Sequence, residues 1–437
     1  MKIAVWHNLP SGGGKRALHD HVKGLLQRGH IVEAWCPPTA DRTFLPLCSL
    51  IREHVVSLDP APRTIGRVLG NTYATTTAQL AAMDQHCARC ATEIGRGGFD
   101  VLFAGSCRLF RTSPIARYAN LPSAIYLQEP FRSLYEATPP LPWLAPESLG
   151  RNYEATPKLP WVAPESLGKN DRLIRYLWGR LRDLARIQAH RIQMREEIAN
   201  ASQFDLILVN SFFSRESVLR AYGLDATVCY LGVDTNHFKP SGEASERFVL
   251  GFGSLIYAKG PDRAIKALGY IPESKRPELV WIGSFAEPEY ELELRRIANK
   301  SGVRLTLKIG VTDSEIRSLL SRAAMLIYTS RLEPFGLSPL EANACGTPVV
   351  AIAEGGVRET VQHQINGLLV ENADPRSLAL AIERLLDDPV LARELRVGSL
   401  AHVRTKWPIT AAIDRLESAL CELAMRKRAF PRQMRAA

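Results

Sequence analysis

Short apolar segments alternate with amphipathic helical stretches along almost the whole chain, and they do so in two successive series. Alternation of this kind is typical of a parallel β-sheet covered by helices on both faces. Because the pattern occurs twice, the sequence predicts two doubly wound, Rossmann-like α/β domains facing each other across a cleft. The predicted strands are residues 3–6, 32–35, 101–104, 124–127 and 206–209 in the first series, and 249–252, 279–282, 305–308, 325–328 and 348–352 in the second.

A polar segment containing Pro and Gly separates the two series near residues 234–246. A length of 437 residues also fits two domains. We therefore expect an N-terminal domain at 1–235 and a C-terminal domain at 246–405. Residues 406–437 are expected to form a helix that crosses back to the first domain, followed by a basic tail.

The first domain is interrupted by a tandem duplication at 135–170. Residues 153–170 repeat residues 135–152 with three differences. The many prolines favour extended, irregular chain over a long helix. Two interpretations stay open: a duplication tolerated in a surface loop, or a flexible lid that presents Trp143 and Trp161 to an acceptor.

The formal net charge is +10, which suits an anionic membrane surface or an acidic substrate. Residues 172–195 read as a basic amphipathic helix, for which simple packing and membrane contact are both open. No nucleic-acid-binding motif with stacking aromatics occurs, so nucleic acid is not an expected partner.

No run of eighteen apolar residues is present, and the N-terminal apolar stretch is too short for a signal-peptide core. The eight cysteines are scattered, and Cys87 and Cys90 form one C-x-x-C without a second pair. We therefore expect a cytoplasmic protein without a structural metal site. Peripheral attachment to the inner face of a membrane is a further option.

The most informative motif for function begins at Glu333 and ends near Glu341, eight positions later. Ser338 is predicted as a helix N-cap, with Pro339 as the first helical residue. A helix N-terminus attracts phosphate, whereas neighbouring carboxylates suit sugar hydroxyls. From these residues alone two interpretations remain: a nucleotide-sugar site, or a capping-box glutamate beside a loop carboxylate.

This motif resembles the donor-site motif of the retaining glycosyltransferases of family 4, which have the GT-B fold. The resemblance implies that Glu333 holds hydroxyls of the transferred sugar and that Glu341 holds the ribose of the nucleotide. It also implies that the backbone N–H groups around Phe335, Gly336 and Leu337 meet the sugar and the phosphates.

Two glycine-containing loops resemble the phosphate-binding segments of the same family. Ser11-Gly12-Gly13-Gly14 follows the first strand, and in the family a glycine pair here faces the donor pyrophosphate and the acceptor. In the second loop, Ser254 stands where the family usually has an arginine, whereas Lys259 is retained. The resemblance thus implies that Lys259 is the main side-chain cation for the leaving diphosphate. Either the lysine and the helix termini suffice, or Arg263 or Arg331 helps.

The acceptor side of the predicted cleft departs from the family at Gln128, where many members have a histidine. A glutamine cannot act as an acid or base near neutral pH. Glu129 is therefore the group expected to approach the acceptor hydroxyl, and Arg132, Trp143 and Trp161 are the other acceptor-side candidates.

Taken together, the resemblance implies a hexosyltransferase-like retaining enzyme that needs no cofactor and no metal. It would transfer a sugar from a nucleotide-diphosphate sugar to a hydroxyl acceptor, of which a lipid-linked glycan is one option, in glycan or glycoconjugate biosynthesis. Glu333, Lys259 and Glu129 are the expected catalytic groups. The alternative is a catalytically silent GT-B module that binds anionic lipid or glycan.

Overall fold

The N-terminal domain is built on a seven-stranded, wholly parallel β-sheet with the order β3-β2-β1-β4-β5-β6-β7. The computed structural model describes residues 1–59, 71–135 and 169–429, and only the backbone of 71–74, 133, 169–183 and 427–429. The strands are β1 Lys2–Asn8, β2 Ile31–Cys36, β3 Arg52–Val55, β4 Val101–Cys107, β5 Ser123–Tyr126, β6 Leu206–Val209 and β7 Thr227–Val228.

Helices connect these strands and cover both faces of the sheet. The buried residues of β1, alternating along the strand, belong to two different apolar clusters, one on each face. Such double burial explains why the central strands are continuous apolar runs. The helices are α1 Gly13–Gln27, α2 Asn71–Arg96, α3 Ile115–Tyr118, α4 Arg132–Tyr135, α5 Lys169–Ala201 and α6 Phe212–Tyr222.

The C-terminal domain repeats this architecture with a six-stranded parallel sheet of order β10-β9-β8-β11-β12-β13. Its strands are β8 Phe248–Phe252, β9 Glu278–Gly283, β10 Leu305–Ile309, β11 Met325–Tyr328, β12 Val349–Ile352 and β13 Gly367–Val370. Its helices are α7 Pro261–Tyr270, α8 Pro288–Lys300, α9 Asp313–Arg322, α10 Leu337–Ala344, α11 Val357–Thr360, α12 Pro375–Asp387 and α13 Pro389–Lys406.

The last helix, α14 (Ile409–Ala429), packs against α1 of the N-terminal domain. Arg28 at the end of α1 pairs with Asp414 and Glu417 of α14. A Cβ atom at Gly24 would lie 2.5 Å from Cγ1 of Ile413, so the two helices approach closely at this glycine. The chain therefore crosses between the domains twice, once at the polar link and once before α14.

A second interdomain contact lies at the N-terminus of α6. Glu359 of the C-terminal domain accepts hydrogen bonds from the backbone N–H groups of Phe212 and Phe213, at 3.0 and 3.1 Å. The Tyr230 hydroxyl donates to the same carboxylate at 2.7 Å. Because a helix N-terminus carries partial positive charge, this end of α6 is satisfied by a carboxylate from the other domain.

The two-domain α/β prediction is confirmed, but two strands were missed: β3 and β7 do not appear in the predicted series. Both lie at an edge of the sheet, and their exposed ends weaken the apolar signal. None of the helices in the described part of the chain is long and apolar enough to cross a bilayer. The tail from residue 430 onwards lies outside the described residues.

Candidate functional site

The N-terminus of α10 lies in the cleft between the two domains. This helix begins at Leu337, and Gly336 is its N-cap with φ of 95°. The predicted cap at Ser338 is therefore wrong, because the left-handed conformation of Gly336 turns the chain into the helix two residues earlier. Pro339 is tolerated at the third helical position, since the N–H that it lacks would have no partner within the helix.

Lys259 and Glu333 form an ion pair in the cleft, with Nζ donating to Oε2 at 2.7 Å. Lys259 ends a short 3₁₀ turn after β8, and Glu333 lies in the loop after β11. Burial would raise the pKa of Glu333, but the charge and hydrogen bond of Lys259 outweigh it and hold the pKa below its ordinary value. Glu333 is thus a carboxylate across the neutral range.

Two glycines, Gly355 and Gly356, pack closely against the backbone of the loop that carries Glu333. A Cβ at Gly355 would lie 2.5 Å from the carbonyl oxygen of Glu333, and one at Gly356 would lie 2.1 Å from that of Pro334. The Gly356 N–H donates to the Glu333 carbonyl at 2.8 Å. The backbone can approach this closely only because side chains are missing at both positions.

Glu341 lies within α10 and is only 3% exposed. Its partner is Arg16 of α1, whose Nε lies 3.5 Å from Oε1 of Glu341 and whose Nη2 donates to Asp313 at 3.0 Å. Burial raises the pKa of Glu341 to about 7, against the opposing charge of Arg16. Sequence reasoning missed Arg16, although its place shortly after the glycine run was an available signal.

A cavity of about 180 Å³ adjoins Glu341 between α1 and the interdomain link. Arg16 and Lys23 of α1 line one wall, and Asp234 and His237 of the link line the other. The carboxylate of Glu341 therefore borders open space between the domains.

The predicted glycine loop opens α1, with Gly12 as N-cap at φ of 127°. A Cβ atom added at Gly12 or at Gly13 would have no other atom within 4 Å, so open space lies beside both glycines. By contrast, a Cβ at Gly14 would lie 2.6 Å from Nε2 of Gln128, so the Gln128 amide packs against the start of α1. This packing places Gln128 at the same end of the sheet as the glycine loop.

Glu129 and Arg132 form an ion pair on the N-terminal side of the cleft. Arg132 Nε donates to Glu129 Oε2 at 2.8 Å, and its Nη1 donates across the cleft to the Arg331 carbonyl at 3.3 Å. Burial raises the pKa of Glu129 above its ordinary value, although the charge of Arg132 opposes the rise. Trp143 and Trp161 lie outside the described residues.

The two arginines expected to help Lys259 have other partners. Arg263 donates to the Thr329 carbonyl at 3.4 Å and lies over the Tyr257 ring at 5.2 Å. Arg331 pairs with Glu354. Ser254 directly follows Gly253, whose Cβ position would lie 3.3 Å from Cγ of Lys259. Ser254 thus follows a residue that lies against the Lys259 side chain, and it carries no charge of its own.

One further cluster in the described residues contains side chains of the types that bind metal ions. Ligand atoms of His7 near the end of β1, Cys36 at the end of β2 and Glu53 within β3 lie within 4.8 Å of one another. However, Arg42 donates to Glu53 at 3.2 Å. The buried Lys15 adds a second cationic group: burial lowers its pKa, and the charge of Glu53 opposes that shift. Because Arg42 and Lys15 already lie near Glu53, its negative charge is compensated by protein side chains.

Part of the C-terminal half of the chain matches a known protein family. Residues 233–398 match the family described as glycosyl transferases group 1. The chain is 30% identical over 249 residues to D-inositol 3-phosphate glycosyltransferase 1 of Catenulispora acidiphila, covering 51% of this chain and 59% of the relative. A relative of the same description from Acidothermus cellulolyticus is 34% identical over 232 residues, covering 47% and 51%. The aligned region thus spans between half and three fifths of these relatives.

The solved structures match along nearly the whole chain. Sucrose-phosphate synthase from Thermosynechococcus elongatus superposes with a TM-score of 0.68 at 19% identity, covering 97% of this chain and 99% of its own. Anabaena HepE in complex with UDP-glucose gives a TM-score of 0.66 at 20% identity, covering 97% and 100%. This chain therefore has the GT-B fold, with a C-terminal domain that matches the group 1 glycosyl transferases.

Proposed function

We propose that the protein is a retaining, metal-independent glycosyltransferase that transfers a sugar from a nucleotide-diphosphate sugar to a hydroxyl acceptor. One observation carries the proposal: Glu333 paired with Lys259 at 2.7 Å, and the buried Glu341, both belong to the segment that opens α10 in the cleft. This segment lies within the region that matches the group 1 family.

The donor would bind mainly on the C-terminal domain. The N-terminus of α10 and Lys259 supply positive charge for a diphosphate. Glu341 borders the cavity between the domains and would accept hydrogen bonds from ribose hydroxyls. A UDP-sugar is the first donor to test, because a neighbour of the same fold was solved with UDP-glucose.

The transfer step would rest on electrostatic stabilisation. The bond between the anomeric carbon and the diphosphate oxygen breaks, and its electron pair stays on the phosphate oxygen. The acceptor oxygen then bonds to the anomeric carbon on the same face, and its proton passes to the departing phosphate. Lys259 stabilises the negative charge that develops on the leaving group. Glu333 positions the sugar, for which its low pKa keeps it ionised.

The acceptor would bind on the N-terminal domain beside Glu129 and Gln128. Two relatives that align with about half of the chain are named as D-inositol 3-phosphate glycosyltransferases, and glycan or glycoconjugate biosynthesis is the process that we propose. Glu129 would orient the acceptor hydroxyl, since Arg132 holds its carboxylate at the cleft.

The first experiment is calorimetry, with saturation-transfer NMR, of the pure protein against a panel of UDP-, GDP-, ADP- and dTDP-sugars. We expect one donor class to bind wild type and to lose at least about tenfold in affinity in Glu341→Ala, because a buried hydrogen-bonding carboxylate is removed. Glu371→Ala, at an exposed position after β13, is the matched control and should bind as wild type does. A folded protein that binds no donor would instead favour a silent module.

A further inference from the structure

The positive charge beside Lys259 is smaller than a diphosphate requires. A nucleoside diphosphate carries at least two negative charges, whereas the charge of Lys259 is already matched by Glu333 at 2.7 Å. Arg263 donates to the Thr329 carbonyl, and Arg331 pairs with Glu354. Beside the α10 N-terminus, a second cation near this ion pair would therefore strengthen the binding of a diphosphate.

Arg132 is a cation that the opposite domain places close to this ion pair. Its Nη1 donates to the carbonyl of Arg331, two residues before Glu333, and its charge contributes to holding the pKa of Glu333 low. Glu129 accepts a hydrogen bond from Nε of the same guanidinium at 2.8 Å and lies 2.8 Å from its Nη2, and it thereby fixes the direction of the side chain. The Arg132 side chain is 25% exposed, so part of it is open to solvent.

We infer that Arg132 and Lys259, one from each domain, bind the diphosphate of the donor together, so that Arg132 is a donor-site rather than an acceptor-site residue. This inference rests on the proposed function. When the donor enters, Lys259 exchanges the carboxylate of Glu333 for phosphate oxygens, and Glu333 becomes free to accept a sugar hydroxyl. Arg132 supplies the second charge, and it can do so only when the two domains face each other as they do here.

The test compares a ligand that has the diphosphate with one that lacks it. UDP and uridine are titrated into wild type and Arg132→Gln by calorimetry, with GDP and guanosine, and ADP and adenosine, run in parallel. We expect Arg132→Gln to lose about tenfold to a hundredfold in affinity for the diphosphate, because a charge-assisted hydrogen bond is removed, and to bind the nucleoside unchanged. Arg108→Gln is the control: Arg108 is exposed at the same sheet edge and donates to the Thr39 carbonyl.

Two double variants separate direct binding from an indirect effect. Ser254→Arg in the Arg132→Gln background places a cation beside Lys259 and should restore most of the lost UDP affinity. Glu129→Gln in the same background removes the carboxylate that Arg132 leaves unpaired. If this second double variant binds UDP as wild type does, Arg132 acts only by neutralising Glu129 and the inference is overturned.

The remaining outcomes are equally decisive. An Arg132→Gln protein that is folded by circular dichroism and binds UDP within twofold of wild type overturns the inference and leaves the proposed function standing. A wild-type protein that binds none of the three diphosphates overturns both.

Discussion

Glu341 is a buried carboxyl group whose protonation should be visible in the stability of the ligand-free protein. Burial raises the pKa of Glu341 to about 7 in the folded chain, above the ordinary value of 4.5. Between these two pH values the folded state binds more protons than the unfolded state, so the contribution of Glu341 to stability falls as pH rises.

Glu341→Gln should therefore raise stability by less than about 1 kcal/mol at pH 5 and by about 1–3 kcal/mol more at pH 8, because a neutral amide replaces a buried charge. Urea denaturation at both pH values measures the difference. The control is Glu371→Gln, at an exposed position, which should show no such difference. Equal destabilisation by Glu341→Gln at both pH values would contradict this account.

Whether a residue of the candidate site could be predicted from the sequence depended on how far along the chain its partner lies. Glu333, Gly336 and Glu341 lie within nine positions, and their spacing carried the resemblance that located the segment. Arg16 lies in the N-terminal domain, whereas its two partners Glu341 and Asp313 lie in the C-terminal domain, so these contacts follow from the docking of the two domains. Sequence spacing carries no information on such a contact, and so the partner of Glu341 was missed.

At the level of elements, the loop between β11 and α10 depends on the glycines packed behind it. Gly355 has φ of +64°, and a side chain there would clash with the Glu333 carbonyl at 2.5 Å. We expect Gly355→Ala to displace the loop, destabilise the protein by about 2–4 kcal/mol and weaken UDP binding at least tenfold.

Gly223→Ala is the matched control for this substitution. Gly223 has a similar φ of +67° after α6, but nothing lies within 4 Å of its Cβ position. It should cost only about 1 kcal/mol, because backbone strain is its only penalty, and UDP binding should not change. Chemical denaturation and calorimetry measure both effects. Equal loss of UDP affinity in the two variants would show that close packing behind Glu333 is unimportant.

How well an element could be predicted depended on its burial. The central strands are covered on both faces, so their apolar runs stand out in the sequence. β3 has the sequence Arg-Glu-His-Val at an edge, and β7 has only two residues, so neither carries such a run. The start of α10 was misplaced because Ser338 and Pro339 both favour a helix start, whereas the turn is made by Gly336.

At the scale of the whole molecule, the return of α14 to the N-terminal domain should contribute measurably to stability. The close approach of Gly24 and Ile413 leaves no room for a methyl group. Gly24→Ala should cost about 1–3 kcal/mol through overpacking, and Ile413→Ala about 2–4 kcal/mol through a cavity.

The two substitutions should not be additive, because Ile413→Ala removes the atoms with which the new methyl group clashes. A double-mutant cycle by urea denaturation should give a favourable coupling free energy of at least about 1 kcal/mol. Additive losses would mean that α14 does not contact α1 at Gly24 in solution.

The contacts of α6 have a consequence for the loop that carries Glu333. Its N-terminal residues Phe212 and Phe213 are held by Glu359, and the Ser211 hydroxyl donates to the Pro334 carbonyl. The loop that carries Glu333 is therefore hydrogen-bonded to both domains, and its conformation depends on their relative orientation. A rotation of one domain relative to the other would therefore move Glu333, the carboxylate that we propose positions the sugar, so the proposed donor site depends on both domains.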